Sequence, residues 1–335
     1  MKNNPRILLA IALVILTALA FVSMITGGSE VGLSALLGAV FGDGNAVDPA
    51  DQFILANVRF PRTMSCLTVG ACLGLSGALL QTLLRNPLAE PYTLGLSGGA
   101  TLGAILAILL KLQPAWLLIP FSSVLGCLAV TSIILKIAWR GTFYSQRTLI
   151  LCGVMISLFC GSLVVLLMTM FDPYQMQSSF FWMLGQMGSD RDHWWPILFL
   201  LFALSLAGGL ADARNLDRLL LGEDIAASLG TRLRAMRLKV VLTVALLCSV
   251  GVSISGLIGF VGLLAPHLAA LLFKRQHRWN LPASSVMGAG FLLLADVLSR
   301  AIGGEREIPA GGVVALVGAP VLIFLMLRWE RHARA

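Results

Sequence analysis

The sequence predicts an all-α fold, a polytopic integral membrane protein, on three observations. Of its 335 residues, 58% are hydrophobic and only 12% are charged, with a mean hydropathy of +0.89. Apolar runs of roughly 18 or more residues recur, each long enough to cross ~30 Å of hydrocarbon. Lys and Arg gather between alternate runs, as cytoplasmic loops require. The predicted layout is about ten transmembrane helices with an inverted internal repeat and both termini cytoplasmic. The chain, 1–335, reads as a single transmembrane domain. Its parts are a first span and outside segment (1–53), spans two to five (54–171), an outside loop and span six (172–211), a cytoplasmic loop (212–237), and spans seven to ten with the tail (238–335).

Lys2 and Arg6 precede the first apolar run, which starts at Ile7 and ends near Thr26. A cleaved signal peptide is the other reading. The run is longer than the usual signal core, however, and no small-x-small site follows it. From Gly27 to Gln52 there are acids (Glu30, Asp43, Asp48, Asp51) and no Lys or Arg, which fits an outside segment with a short surface helix. Span two is Thr63 to Leu84, where Gly70 and Gly74 make a small-residue seam for close helix contact. Pro87 and Pro91 then force an irregular turn. Span three, Tyr92 to Leu110, carries Gly95, Gly99 and Gly103 on one face, for packing or for a pathway.

Span four is Ala115 to Trp139, closed on the inside by Lys136, Arg140 and Arg147. Span five is Thr148 to Phe171, with Gly153, Ser157 and Gly161 on one stripe. The stretch from Asp172 to Trp195, with Asp190, Arg191, Asp192 and His193, is an outside loop. Span six is Trp194 to Ala211, and span seven Leu238 to about Ile258. A short span eight follows Pro266-His267 and ends at Lys274-Arg275. Span nine is Pro282 to Ile302, and Gly303 to Glu307 is an outside turn. Span ten is Ala310 to Leu327, with Arg328, Arg331 and Arg334 in the tail.

The longest polar break runs from Asp212 to Lys239, with six Lys or Arg. Gly222 and Gly230 bracket a two-turn helix whose first turn holds Glu223 and Asp224, where the helix dipole favours acids. Such a stretch serves either as a grip for a soluble partner or as a basic anchor that holds topology. In this layout 18 Lys or Arg fall inside and six outside, namely Arg59, Arg62, Lys111, Arg191, Arg300 and Arg306. The outside six go against the charge rule and call for a reason. An echo supports the repeat: Ser76-Gly77 and Pro87 recur as Ser255-Gly256 and Pro266, all offset by 179. With an odd number of crossings between them, the copies point in opposite directions, as in many transporters.

Several chemistries find no support in the chain. The six cysteines (Cys66, Cys72, Cys127, Cys152, Cys160, Cys248) all fall inside predicted spans and read as packing residues. The four histidines are scattered, so no metal-ligand cluster is visible. There is no G-x-x-x-x-G-K-[ST] phosphate loop. No nucleophile with an acid or base partner stands out, so no enzyme is expected. The net charge of +8 serves topology rather than nucleic acid.

The run Arg85-Asn86-Pro87-Leu88-Ala89-Glu90-Pro91-Tyr92-Thr93-Leu94-Gly95-Leu96-Ser97-Gly98-Gly99-Ala100 resembles the permease subunits of bacterial iron-chelate and cobalamin importers, which are ABC-type uptake systems with a binding protein. Val58 to Arg62, Leu221 to Gly230, Gly259 to His267, Leu294-Ala295-Asp296 with Arg300, and Ile308 to Pro320 are similar to further elements of that family, in order. The resemblance implies ten spans per subunit, in the cell inner membrane. It implies a second permease subunit, identical or related, two ATP-binding subunits that hold ATP and Mg, and a periplasmic or lipid-anchored substrate-binding protein. No cofactor is expected on this chain itself.

By the same resemblance Leu220, Gly222, Glu223, Asp224, Ala226, Leu229 and Gly230 form the ATPase-coupling loop. Arg59, Arg62 and Arg300 dock acidic groups of the binding protein, although Asp296 and Arg300 are spaced to pair locally. The pathway lies at the subunit interface, along Gly153, Ser157 and Gly161 and along Gly311, Ala315 and Ala319. The implied cargo is a ferric siderophore, with haem or cobalamin beside it, moved by alternating access. The alternative is an ion-gradient-driven secondary transporter, which needs ionisable residues deep in the spans. Asp296 is the only acidic candidate for that role.

Overall fold

The computed structural model describes residues 4–27, 36, 38, 48–138, 146–188, 193–273, 276–304 and 308–334. Most of the expected outside segment from Gly27 to Gln52 lies outside the described residues. So do Lys2, Arg140, Asp190 to Asp192, Lys274, Arg275 and Glu305 to Glu307, and the side chains of Arg147, Arg328, Arg331 and Arg334. The described residues form helices and connecting turns, with no strand among them.

Helix α1 (Pro5–Ile25) starts at Asn4, whose side chain accepts from Arg6 N, with Pro5 in the first turn. Helix α2 (Pro49–Ile54) is capped by Asp48 in the same way. It runs through a π turn, Leu55–Arg59, into α3 (Phe60–Leu83). The wider turn sits just before Pro61, whose ring and missing N–H disfavour regular α bonding there. Together these make one apolar rod, Pro49–Leu83.

The expected span three is shorter than its sequence boundaries. Pro87 and Pro91 keep residues 84–95 irregular, and α4 (Leu96–Leu109) begins only after Gly95, whose φ of 74° suits glycine. Helices α5 (Ala115–Ala138) and α6 (Gln146–Met168) follow. The expected outside loop then contains a helix, α7 (Pro173–Met183), started by Asp172 accepting from Gln175 N at 2.9 Å. Helix α8 (Trp195–Ala211) meets α9 (Ala213–Leu220) at a 62° bend. After these come α10 (Glu223–Ser228), α11 (Leu233–Ser255), α12 (Val261–Leu272), α13 (His277–Gly303) and α14 (Ala310–Arg334).

Among the described residues six helices are long and apolar enough to cross a membrane, or seven if the bent α8–α9 pair is one span. Helices α4, α12 and the first part of α14 are shorter and also apolar. Burial ranks the long helices. Within their apolar windows 89% of the rod ending in α3 is buried, 72% of α11 and 61% of α13, against 6% of α1 and 22% of α6. The core is therefore the α3, α11 and α13 group, with the other long helices around it.

Glycine sets how closely these helices approach. A Cβ on Gly70 would stand 2.4 Å from Gly288 O, and one on Gly74 would stand 2.2 Å from Ser284 O. The seam expected at Gly70 and Gly74 is thus the α3–α13 contact. Gly99 and Gly103 do the same for α4 against α5, with Gly126 O at 2.7 Å and Ser122 O at 2.0 Å. Gly99 and Gly103 are therefore packing positions. The echo between the chain halves fails in local structure. Gly77 lies inside α3 against Gly262 O, whereas Gly256 ends α11 at φ 69°. Pro87 lies in a turn and Pro266 inside α12. The five cysteines other than Cys152 are buried, and all six are free thiols.

Candidate functional site: the polar loop and the small-residue groove

The polar loop folds as two short helices hinged on glycine. Gly222 has a φ of 122° and Gly230 one of 85°, both strained for any other residue. Ala213, Leu216 and Leu219 turn inward from α9, and Ala226 from α10. The opposite face is apolar and open: Leu220 is 47% exposed, Leu221 62%, Ile225 48% and Leu229 49%. Such a face on a polar loop has the character of a contact surface.

Three acids of this region are used internally. Asp212 pairs with Lys239, Asp217 with His277, and Glu223 with Arg237 at 2.6 Å. Glu223, one of the residues expected in the coupling loop, is thus held by Arg237 within the chain. Arg237 lies on α11, close enough to take the carboxylate before any partner arrives. Asp224 stays exposed, and α10 has no side-chain cap.

At the far end of α3 and α13, three arginines and one carboxylate form a buried network. Arg62 Nε and Nη2 lie 3.0 and 2.9 Å from Asp296 Oδ1. Arg300 Nη2 lies 2.9 Å from Asp296 Oδ2. Arg300 also donates to Ser23 O at 2.9 Å, Ser23 Oγ at 2.7 Å and Thr26 O. Arg59 donates to Met24 O at 2.8 Å and Ile25 O at 2.7 Å. Helix α1 has no basic residue in its last turn, so Arg59 and Arg300 satisfy its terminal carbonyls from outside. Arg59 is 4% exposed and Arg62 8%. Arg59, Arg62 and Arg300, the residues expected to dock a binding protein, are thus engaged internally in this single subunit. A guanidinium removed from water here needs Asp296 and the α1 carbonyls.

The two small-residue stripes come out differently along their length. A Cβ on Gly153 would meet Thr93 O at 2.6 Å, and one on Gly311 would meet Leu184 O at 2.3 Å, so both are packing positions. Ser157 Oγ donates to Tyr92 O at 2.9 Å. A Cβ on Gly161 would meet nothing within 4 Å. Ser157 and Gly161 line a groove of about 360 Å³ with Ser97, Thr101 and Leu257, polar only at a few hydroxyls. Ala315 is exposed and Ala319 partly so.

Two features were out of reach of sequence reasoning. One is the Arg62–Asp296 pair, 234 residues apart. The other is the buried contact of Thr82 with His277, 195 apart. Neither spacing carries a local signal.

Residues 13–328 match the FecCD transport family. The chain belongs to that family. This FecCD chain is 34% identical over 341 residues to the hemin transport system permease protein HmuU of Yersinia pestis, covering 100% of this chain and 99% of that one. It is 38% identical over 281 residues to the vitamin B12 import system permease protein BtuC of Klebsiella pneumoniae, covering 83% of each. A solved structure described as an inward-facing conformation of a metal-chelate type ABC transporter superposes with a TM-score of 0.83 at 29% identity. It covers 97% of this chain and 99% of that one. As a FecCD family member the chain is a multi-pass transport permease and not an enzyme.

Proposed function

We propose that this chain is the membrane-spanning subunit of an ATP-driven importer that carries a large metal chelate into the cytoplasm by alternating access. The observation that carries the reading is the outward apolar face of Leu220, Leu221, Ile225 and Leu229 on a glycine-hinged loop whose own acids are mostly occupied. A surface of this kind fits a groove on a soluble ATPase subunit. Likeness to hemin and vitamin B12 permeases supports a chelate as cargo, with a ferric siderophore in the same class. In this reading ten spans cross the inner membrane with both termini inside, α4, α12 and α14 supplying the shorter crossings. Two ATPase subunits, a second permease copy or relative, and a substrate-binding protein complete the assembly. The groove at Ser157 and Gly161 is a stretch of the pathway.

An ion-gradient mechanism loses its main candidate, because Asp296 is held between Arg62 and Arg300. The test is co-expression with a P-loop ATPase subunit and affinity purification of the tagged permease. The Leu221→Asp/Ile225→Asp double variant is expected to lose the ATPase while folding normally. Full retention would overturn the assignment of the loop.

A further inference from the structure

Helix α13 starts at His277 after Gln276, which makes no side-chain bond to the helix end. The missing acceptor comes from a different element. Asp217 Oδ1, on α9, accepts from His277 N at 2.9 Å and lies 2.6 Å from Nδ1 of the same residue. The carboxylate thus caps α13 from outside, where the helix dipole favours it. The other ring nitrogen, Nε2, lies 2.6 Å from Thr82 Oγ1 in the last turn of α3. Thr82 Oγ1 in turn stands 2.9 Å from Ala78 O. His277 is 3% exposed and Thr82 5%. One imidazole therefore bridges the loop, the start of α13 and the end of α3.

The proton inventory of this chain is restrictive. A carboxylate only accepts, so Nδ1 carries a proton. Thr82 has one hydroxyl proton. It goes either to Nε2 of a neutral ring, or to Ala78 O while a charged ring donates from Nε2. Asp217 stays linked to Thr82 in both arrangements. Neither leaves a ring nitrogen unsatisfied, which matters in a buried site.

The elements so linked have little freedom to move apart. Helices α3 and α13 are in backbone contact through Gly70, Gly74 and Gly288, and Arg62 with Asp296 ties their far ends. A push on α9 at Asp217 reaches both as one body. The loop is tied separately to α11 through Lys239 and Arg237. Beside the bridge lies an open groove of about 420 Å³, lined by Arg85, Asn86, Pro87, Leu220 and His267.

We propose that Asp217, His277 and Thr82 form the joint that delivers displacement of the loop to the α3–α13 pair, with His277 as the positioning residue. The inference rests on the loop being the seat of the ATPase. It is tested on the full assembly of permease, ATPase and binding protein, through the stimulation of ATP hydrolysis by the binding protein over the basal rate. That signal must cross the permease from one face to the other.

Thr82→Val keeps the shape and removes the hydroxyl. It is expected to leave assembly and basal hydrolysis intact and to lower stimulation at least about fivefold, the scale of a weak coupling. Asp217→Ala, which removes the acceptor, is expected to act in the same direction, and Thr82→Ser to behave as the unaltered protein. Unchanged stimulation in an assembled Thr82→Val complex would overturn the joint. An equal fall in Thr82→Ser would overturn it too, since packing and not the hydroxyl would then be responsible. Retention of the ATPase by the Leu221→Asp/Ile225→Asp variant is a separate readout, which would remove the loop reading and the joint with it.

Discussion

Two glycine-bearing regions of this molecule look alike in sequence and end up opposite in structure. Where α3 packs on α13 and α12, Gly70, Gly74 and Gly288 (α3 on α13) and Gly77 (α3 on α12) each face backbone so closely that a Cβ would fall within 2.4 Å of a carbonyl oxygen. Along the groove of α6, Gly161 faces open space, as Gly312 does on α14. Small residues lower the cost of helix approach only where a second helix arrives. Where none arrives in the single subunit, the same residue leaves a groove that a partner subunit or a cargo can use. The first region is built to stay still, and the second is left free to contact something else.

The sharpest test of this contrast is at Gly77. Gly77→Ala places a methyl group about 1.9 Å from Gly262 O, inside the core. Overpacking of ~1–3 kcal/mol or more is expected, read as near-complete loss of monodisperse protein after detergent extraction. Gly161→Ala should extract at the normal yield. Equal yields from the two variants would break the comparison.

The next largest effect is expected at Asp296, which holds the far end of the still region. Asp296→Ala leaves Arg62 and Arg300 buried without their anion, a loss on the order of 3–5 kcal/mol. The thermal midpoint in detergent should fall clearly. An unchanged midpoint would mean that Asp296 is not what stabilises Arg62 and Arg300 in the fold.

A smaller effect on folding, and a larger one on partner binding, is expected at the loop. Leu221→Asp with Ile225→Asp should leave the thermal midpoint unaltered. It should weaken ATPase binding by roughly thirtyfold, the equivalent of ~2 kcal/mol at an interface centre, measured by titration of the purified ATPase. The smallest expected change in stability is at Gly161→Leu. Extraction yield should be unaffected while the uptake rate of the assembled importer falls several-fold. Uptake at the full rate would take Gly161 off the pathway.

Much of the fold can be read from single stretches of the chain. Long apolar runs mark the main helices to within a few residues. Pro87 and Pro91 mark the break between α3 and α4, because each acts on its own backbone, whereas Gly95, expected inside the span, instead precedes α4. Gly222 and Gly230 mark the hinges of the loop for the same reason. Helix α7 escaped as a helix although Asp172-Pro173 is a start signal, because its polar stretch reads as a loop by hydropathy. The site was less legible. Glu223 reads in sequence as an acid in the first turn of its own helix and as part of a coupling loop, and its pair with Arg237 appears only in the structure. Arg59, Arg62 and Arg300 look anomalous by the charge rule, and their meeting with the end of α1 and with Asp296 carries no signal in the sequence.

By itself the sequence determined the class of this protein, its apolar helices, its breaks and its family, because these follow from composition and from residues acting on their own segment. The tertiary structure alone decided which small-residue face is sealed and which is open. It also decided which arginines are buried, and that Asp217, His277 and Thr82 meet. The reason is physical: burial and pairing are properties of two surfaces at once, and each partner lies far along the chain from the other.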